Sequence, residues 1–124
     1  MIRALDPETD TAAVRDLFAR AADYVLLETG EPPDDARTID FFTGAPPSID
    51  PATSLRLGMF LSGGQLVAIA ELAFGYPNPD DAYIGLLLID PNHRGKRLGQ
   101  QMLGHVFAGA SARKAKRILI AVLE

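Results

Sequence analysis

Along the chain the apolar residues change their period several times, and each change marks an expected element. Residues 2–5 alternate and stop at Asp6-Pro7, which predicts a short first strand. From Asp10 or Thr11, either of which can serve as N-cap, Ala13, Val14, Leu17, Phe18, Ala21, Ala22 and Val25 recur at spacings of three and four, with Gly30 beyond the end. That spacing predicts an amphipathic helix. Pro32, Pro33, Pro46, Pro47 and Pro51 interrupt residues 31–54, leaving a loop with one brief helix around 35–43 whose Ile39 and Phe42 share a face. Residues 55–61 and 66–74 are apolar runs separated by Ser62-Gly63-Gly64-Gln65, and a Gly-Gly pair supplies the positive φ of a tight hairpin turn. After the turn-rich residues 75–81, the run 82–89 predicts a buried fourth strand ended by Asp90-Pro91. Leu98, Met102, Leu103, Val106, Phe107 and Ala110 mark one face of a last helix, and residues 118–123 form a final apolar strand.

The expected order is β-α-α-β-β-β-α-β. The hairpin forces antiparallel pairing, whereas the strand-helix-strand unit over residues 82–123 calls for a parallel, right-handed crossover. The fold class is therefore α/β (α+β), with a mixed, mainly antiparallel sheet and helices on its faces. A length of 124 residues suits one domain over residues 1–124. With 48% apolar and 23% charged residues the composition is that of an ordinary soluble globular domain. The chain has no cysteine, so disulfides, thiolate nucleophiles and Cys-based zinc sites are excluded and a cytoplasmic setting is expected. The N-terminus does not read as a secretory signal, and the longest apolar run, 82–89, is far short of the ~20 residues of a spanning helix, so neither export nor membrane insertion is expected.

Charge changes this picture, because the chain divides by sign after Asp90. Residues 1–90 carry 5 Lys/Arg against 15 Asp/Glu, whereas residues 91–124 carry 7 against 1. An anionic ligand therefore belongs near the C-terminal third. Two tight cation clusters without interleaved aromatics, attached to an acidic remainder, make a poor track for nucleic acid. The second cluster, at 113–117, reads as a solvated helix end whose cations suit the negative pole of the helix dipole.

The first cluster differs in kind. Asp90-Pro91-Asn92-His93-Arg94-Gly95-Lys96-Arg97-Leu98-Gly99-Gln100 joins a buried strand to a helix N-terminus, where unpaired main-chain amides and the dipole attract a phosphate. Gly95 and Gly99 permit close approach, and Arg94, Lys96 and Arg97 add charge. A Walker A loop would need Gly where Asp90 stands and Ser or Thr where Arg97 stands, and the dinucleotide G-x-G-x-x-G spacing is absent too. The segment instead resembles the Arg/Gln-x-x-Gly-x-Gly/Ala signature of the GNAT superfamily, the acyl-CoA-dependent N-acetyltransferases. Its frequent form R-G-x-G-x-G stands here as Arg94-Gly95-Lys96-Arg97-Leu98-Gly99, with Arg97 in place of the middle glycine. The flanking Leu86 to His93 and Gln100 to Leu103 are similar as well.

The resemblance implies a V-shaped sheet in which the fourth strand splays from the fifth and receives the pantetheine arm of acetyl-CoA. The backbone of Leu88 and Ile89 would pair with the pantetheine amides. The amides of Arg94, Gly95, Lys96, Arg97, Leu98 and Gly99 would hold the pyrophosphate, and Gln100 would reach a phosphate oxygen. The implied activity is transfer of an acetyl group to a primary amine of a small molecule or peptide, for which the acidic residues 1–90 suit a cationic acceptor. Glu71, the one ionisable residue in the run 66–74, is the candidate base, since burial raises a carboxyl pKa toward working pH. Its alternative is an outward-facing position on an alternating strand, and Asp80, Asp81 and Asp90 are weaker candidates. Tyr24, Tyr76 and Tyr83 do not match the family's leaving-group acid. His93 and His105 lack metal-ligand spacing, so no metal is expected; His93 suits a cap or phosphate contact. Members of the family usually continue beyond a fifth strand, so the expectation is a domain truncated there or a homodimer or partner chain covering that strand. A non-catalytic CoA-binding or assembly module, and a site for another nucleotide, remain the rival readings.

Overall fold

The computed structural model describes residues 1–120. β1 (Ile2–Ala4) leads into three helices, α1 (Thr11–Arg20), α2 (Ala22–Thr29) and α3 (Asp35–Thr43). The strands β2 (Leu55–Phe60), β3 (Leu66–Phe74) and β4 (Asp81–Ile89) follow, then α4 (Leu98–Ala112) and β5 (Arg117–Ile120). Short 3-10 turns at Pro51–Thr53 and Pro91–His93 lead into β2 and toward α4.

The helix expected as one piece from residue 11 is two, broken at Ala21 with φ −100° and ψ 37°. Periodicity hides the break because Ala21 and Val25 are both buried across it, so the apolar stripe runs on unbroken. Asp10 stands at the N-cap of α1 but does not cap it. Its carboxylate accepts from both Arg3 Nη atoms at 2.8 and 2.9 Å and from the Asp6 amide at 2.7 Å. Gly30 closes α2 with φ 77°, its N–H donating to Leu26 O. Asp34 caps α3 by accepting from the Arg37 amide, and the face that α3 buries is Thr38 and Phe41. The expected Ile39–Phe42 face is therefore turned aside, with Ile39 exposed and Phe42 only partly buried.

The five strands lie in the order β1-β2-β3-β4-β5, antiparallel except for the parallel β4–β5 pair. Helices cover both faces. Val14, Leu17, Phe18, Val25 and Phe41 pack with Ile69, Leu86 and Leu88 on one face, while Met102, Val106 and Ala110 of α4 pack with Leu57, Ala70 and Ile84 on the other. Each such burial contributes roughly 1.5–3 kcal/mol for a large apolar side chain. β3, with residues 66–70 all buried, is held between these two cores. β5 begins at Arg117, and the part of the expected final strand at 121–123 lies outside the described residues. Its pairing with β4 covers Asp81 to Ile84, so from Gly85 onward β4 pairs with β3 alone among the described residues. The splay expected of the fourth strand from the fifth depends on residues past Ile120 and lies outside the described residues.

Candidate active site

β4 changes its facing at Gly85. Glu71 pairs with Leu86 and Leu72 with Ile84, which leaves Gly85 as an extra residue, a β-bulge in the middle of the strand. Ala82 and Ile84 point toward α4, but Leu86 and Leu88 point toward α1–α3, because one inserted residue inverts the alternation. The bulge also makes room. A Cβ at Gly85 would lie 3.0 Å from Glu71 Oε1, so the Glu71 carboxyl group rests directly over the missing side chain.

Glu71 faces inward toward the helices, and the outward alternative does not hold. Its side chain is 15% exposed, and Arg56, its cross-strand neighbour on β2, approaches its Oε2 to 3.3 Å. Burial pushes the Glu71 carboxyl above the ordinary carboxylate range; Arg56 and Arg37 pull it part of the way back, and Asp40 adds to the rise. Arg56 is itself fixed. Its Nε donates to Phe41 O at 2.8 Å, Nη1 to Pro51 O at 3.0 Å and Nη2 to Gly44 O at 3.1 Å, so one guanidinium ties α3 and the 44–51 loop to the base of the site.

A cavity of about 350 Å³ opens onto this carboxyl group, between α2–α3 on one side and β3–β4 on the other. Tyr76 and Tyr83 form an edge-on pair in its wall, with ring centroids 5.3 Å apart. Arg37 crosses it from α3, donating to both oxygens of Glu28 at 2.6 and 3.1 Å and lying over the Phe18 ring at 4.6 Å. Glu71, Gly85 and Leu86 border the cavity, and Leu88 follows two residues along the same face of β4, about 7 Å farther on.

Beyond Ile89 the chain turns at Asp90, whose side chain is fully buried. Its carboxylate accepts from Arg20 Nε at 2.7 Å and from the Asn92 amide at 2.9 Å. Burial works against that charge, but the Asn92 amide, Arg20 and His93 outweigh it and hold the carboxyl below the ordinary range. Gly95 follows with φ 81° and Arg97 with φ 62°, the left-handed region in which a non-glycine residue is strained. Arg97 is the N-cap of α4, and the first backbone bond within the helix is donated by Gln101 to Arg97 O at 3.3 Å. The amides of Leu98, Gly99 and Gln100 therefore precede the first helical bond. A Cβ at Gly95 or Gly99 would meet nothing within 4 Å, and Arg94, Lys96 and Arg97 are all exposed. His93 is mostly buried in the preceding turn, with Nδ1 3.9 Å from Asp90 Oδ2.

The sequence of the chain matches the acetyltransferase (GNAT) family over residues 11–124. The chain belongs to that family. Structurally it is similar to an acetyltransferase from Thermus thermophilus, at 27% identity and a TM-score of 0.70, covering 88% of this chain and 68% of that one. A tandem GNAT protein from the clavulanic acid biosynthesis pathway gives 25% identity and a TM-score of 0.77, over 100% of this chain and 37% of the other. A ribosomal-protein-alanine N-acetyltransferase from Brucella melitensis biovar Abortus shares the fold at 17% identity and a TM-score of 0.71, with 98% and 80% covered. No curated protein matches the sequence. Among the described residues no helix is long and apolar enough to cross a membrane.

In this GNAT acetyltransferase fold Glu71 sits on β3 opposite the Gly85 bulge of β4, and residues 88–100 run from the end of β4 through the turn into α4. The other candidate acids are elsewhere and differently held. Asp81 accepts from Arg117 Nε and Nη2 at 2.9 and 2.8 Å, which keeps it below the usual aspartate range, and Asp80 is exposed beside Lys116. Nor is the cluster at 113–117 a merely solvated helix end. Arg113 lies 4.2 Å over the Phe74 ring and donates to Thr53 O, and Arg117 is already in β5, bound to Asp81. Sequence reading passed over Arg37, Arg56 and Gly85. Two of these carried a usable signal: Arg56 is the lone charge in an apolar strand, and Gly85 the lone glycine in another.

Proposed function

We propose that the chain transfers an acetyl group from acetyl-CoA to a primary amine of a small molecule or peptide, with Glu71 as general base. The observation that carries this is Glu71 itself: a carboxyl group with a raised pKa, seated over the Gly85 bulge and open to a cavity whose wall on β4 reaches Leu86. The start of α4 fits the coenzyme. Open space at Gly95 and Gly99, amides that precede the first helical bond and three exposed cations suit a diphosphate. In this reading the backbone of Leu88 and Ile89 pairs with the pantetheine amides, residues Arg94 through Gly99 hold the phosphates, and Gln100 adds a side-chain donor. Bound acetyl-CoA supplies the acyl group as an activated thioester. Glu71 accepts the proton of the incoming ammonium, leaving a neutral nitrogen able to attack, and Arg56 keeps the carboxyl group in place.

Thioester turnover tests the proposal. Release of free CoA from acetyl-CoA in the presence of an amine panel is the expected result, and Glu71→Gln lowers kcat about 10²- to 10³-fold while leaving the calorimetric affinity for acetyl-CoA within about twofold. Tight coenzyme binding without amine-dependent release would mark the chain as a binding module.

A further inference from the structure

Resting on the acyl-transfer reading, we propose that the acceptor is a small primary amine with an apolar or aromatic body and no carboxylate, and that Glu28, Arg37 and Asp40 together exclude amino acids.

Charge accounting in the cavity carries this. Three carboxylates, Glu28, Asp40 and Glu71, border it or face it. Among the described residues two cations stand near, and both are largely committed to groups already in the fold. Arg37, 11% exposed, gives Nε and Nη2 to Glu28 and holds Nη1 3.6 Å from Asp40. Arg56, 10% exposed, gives all three of its nitrogens to carbonyl oxygens and faces Glu71 at 3.3 Å. With every group ionised the cavity keeps one surplus negative charge, and Asp40, 73% exposed, presents it toward solvent.

An ammonium group entering there gains attraction from the surplus charge and from the Tyr76–Tyr83 ring pair. A carboxylate attached to the same carbon meets the opposite field. To be paired it must compete with Asp40 for Arg37 Nη1 or with Glu28 for the rest of the guanidinium, and drawing Arg37 off Glu28 would leave that carboxylate mostly buried and unmatched. The remaining wall, built from Phe41, Pro46, Pro47 and Leu86, offers apolar surface for the body of the amine. At about 350 Å³ the space is near the small end of ligand cavities, which favours a small acceptor.

The test compares amines with the amino acids that differ only by the carboxylate: phenethylamine against phenylalanine, and isoamylamine against leucine. In CoA-release assays the amine of each pair is expected to exceed the amino acid at least about a hundredfold in kcat/KM. Glu28→Gln, which frees Arg37, should narrow that ratio about tenfold by raising the amino acid, and Asp40→Asn, at an exposed position, should narrow it about twofold without altering the melting temperature. A wild-type ratio near one, a preference for the amino acid, or a ratio unmoved by both variants would overturn the inference. Titrating the same pairs into the coenzyme-free protein by NMR keeps the question open to measurement if turnover is absent. Equal binding, or no binding of any of the four compounds, refutes the acceptor class, whereas calorimetry with acetyl-CoA decides the acyl-transfer reading separately.

Discussion

Around Glu71 the cations are used up, and at the start of α4 they are idle. Arg37 and Arg56 are about nine-tenths buried, with five of their six nitrogens hydrogen-bonded to a carboxylate or a carbonyl and the sixth, Arg37 Nη1, 3.6 Å from Asp40. Arg94, Lys96 and Arg97 are exposed; Arg94 has a loose contact with Asp23 at 3.6 Å, and no ion pair with a carboxylate is formed by the other two among the described residues. Both regions are built from arginine beside open space, yet they present opposite fields. A guanidinium committed to the fold shapes a cavity for cations, and one left in solvent beside unpaired amides shapes a seat for anions.

The sharpest way to break this contrast is to place a carboxylate in the anion seat. Gly99→Glu should reduce acetyl-CoA affinity more than about a hundredfold, because it sets a like charge where the proposed function puts the phosphates. Since nothing lies within 4 Å of a Cβ there, Gly99→Ala should fold well, gaining up to about 1 kcal/mol from helix propensity. Calorimetry and thermal melts on the two variants separate charge from bulk. Equal affinities for both would remove the phosphates from this turn.

On the cation side, Gly85→Ala is the matching probe. Glu71 Oε1 lies 3.0 Å from the new Cβ and must retreat by a few tenths of an ångström, for which kcat/KM should fall about five- to tenfold at unchanged coenzyme affinity. A variant as active as the parent would mean that the seat of this carboxyl group does not matter to catalysis.

Acid should sort the carboxyl groups by the direction of their shifts. Asp10, Asp81 and Asp90 are held below the usual aspartate range, so the stability they lend is present above that range and is lost as pH falls through their depressed values. Glu71 is raised and has the opposite sign, favouring the folded state at low pH and opposing it as pH rises through its folded value. The melting temperature should therefore fall below about pH 4, and Asp90→Asn should lower it at neutral pH while flattening the acid slope. An unchanged slope would show that the buried Asp90–Arg20 pair does not titrate with unfolding.

The smallest effect is expected at Arg97. Relief of the left-handed strain, worth about 1–2 kcal/mol, is partly cancelled by the roughly 0.5–1 kcal/mol of chain entropy that glycine costs, so Arg97→Gly should raise stability by a few tenths to about 1 kcal/mol in denaturant melts. A loss of stability would indicate that the arginine side chain holds the turn.

The family's glycine pattern at this turn now has a physical reading, since the position that breaks it carries φ 62°. That reading was half available in advance. The element order and the turn before α4 could be anticipated because each depends on local period or on a short motif, whereas the facing of Glu71 stayed open, since a strand's alternation alone does not say which face is covered. The break at Ala21 left no mark, as the buried stripe continues through it. The cavity was invisible for another reason. Arg56 reaches Phe41, Gly44 and Pro51 across 15, 12 and 5 residues, and Arg37 reaches Glu28 across 9, so the network exists only once the helices have docked on the sheet.

Gly85 also sets a rule for anyone altering β4. Deleting that one residue would restore an uninterrupted pleat and rotate everything downstream, turning Leu86 and Leu88 to the α4 side and carrying the approach to Asp90 with them. Substitutions along this strand are tolerable changes of furniture, but a change in its residue count would exchange the two sides of the sheet.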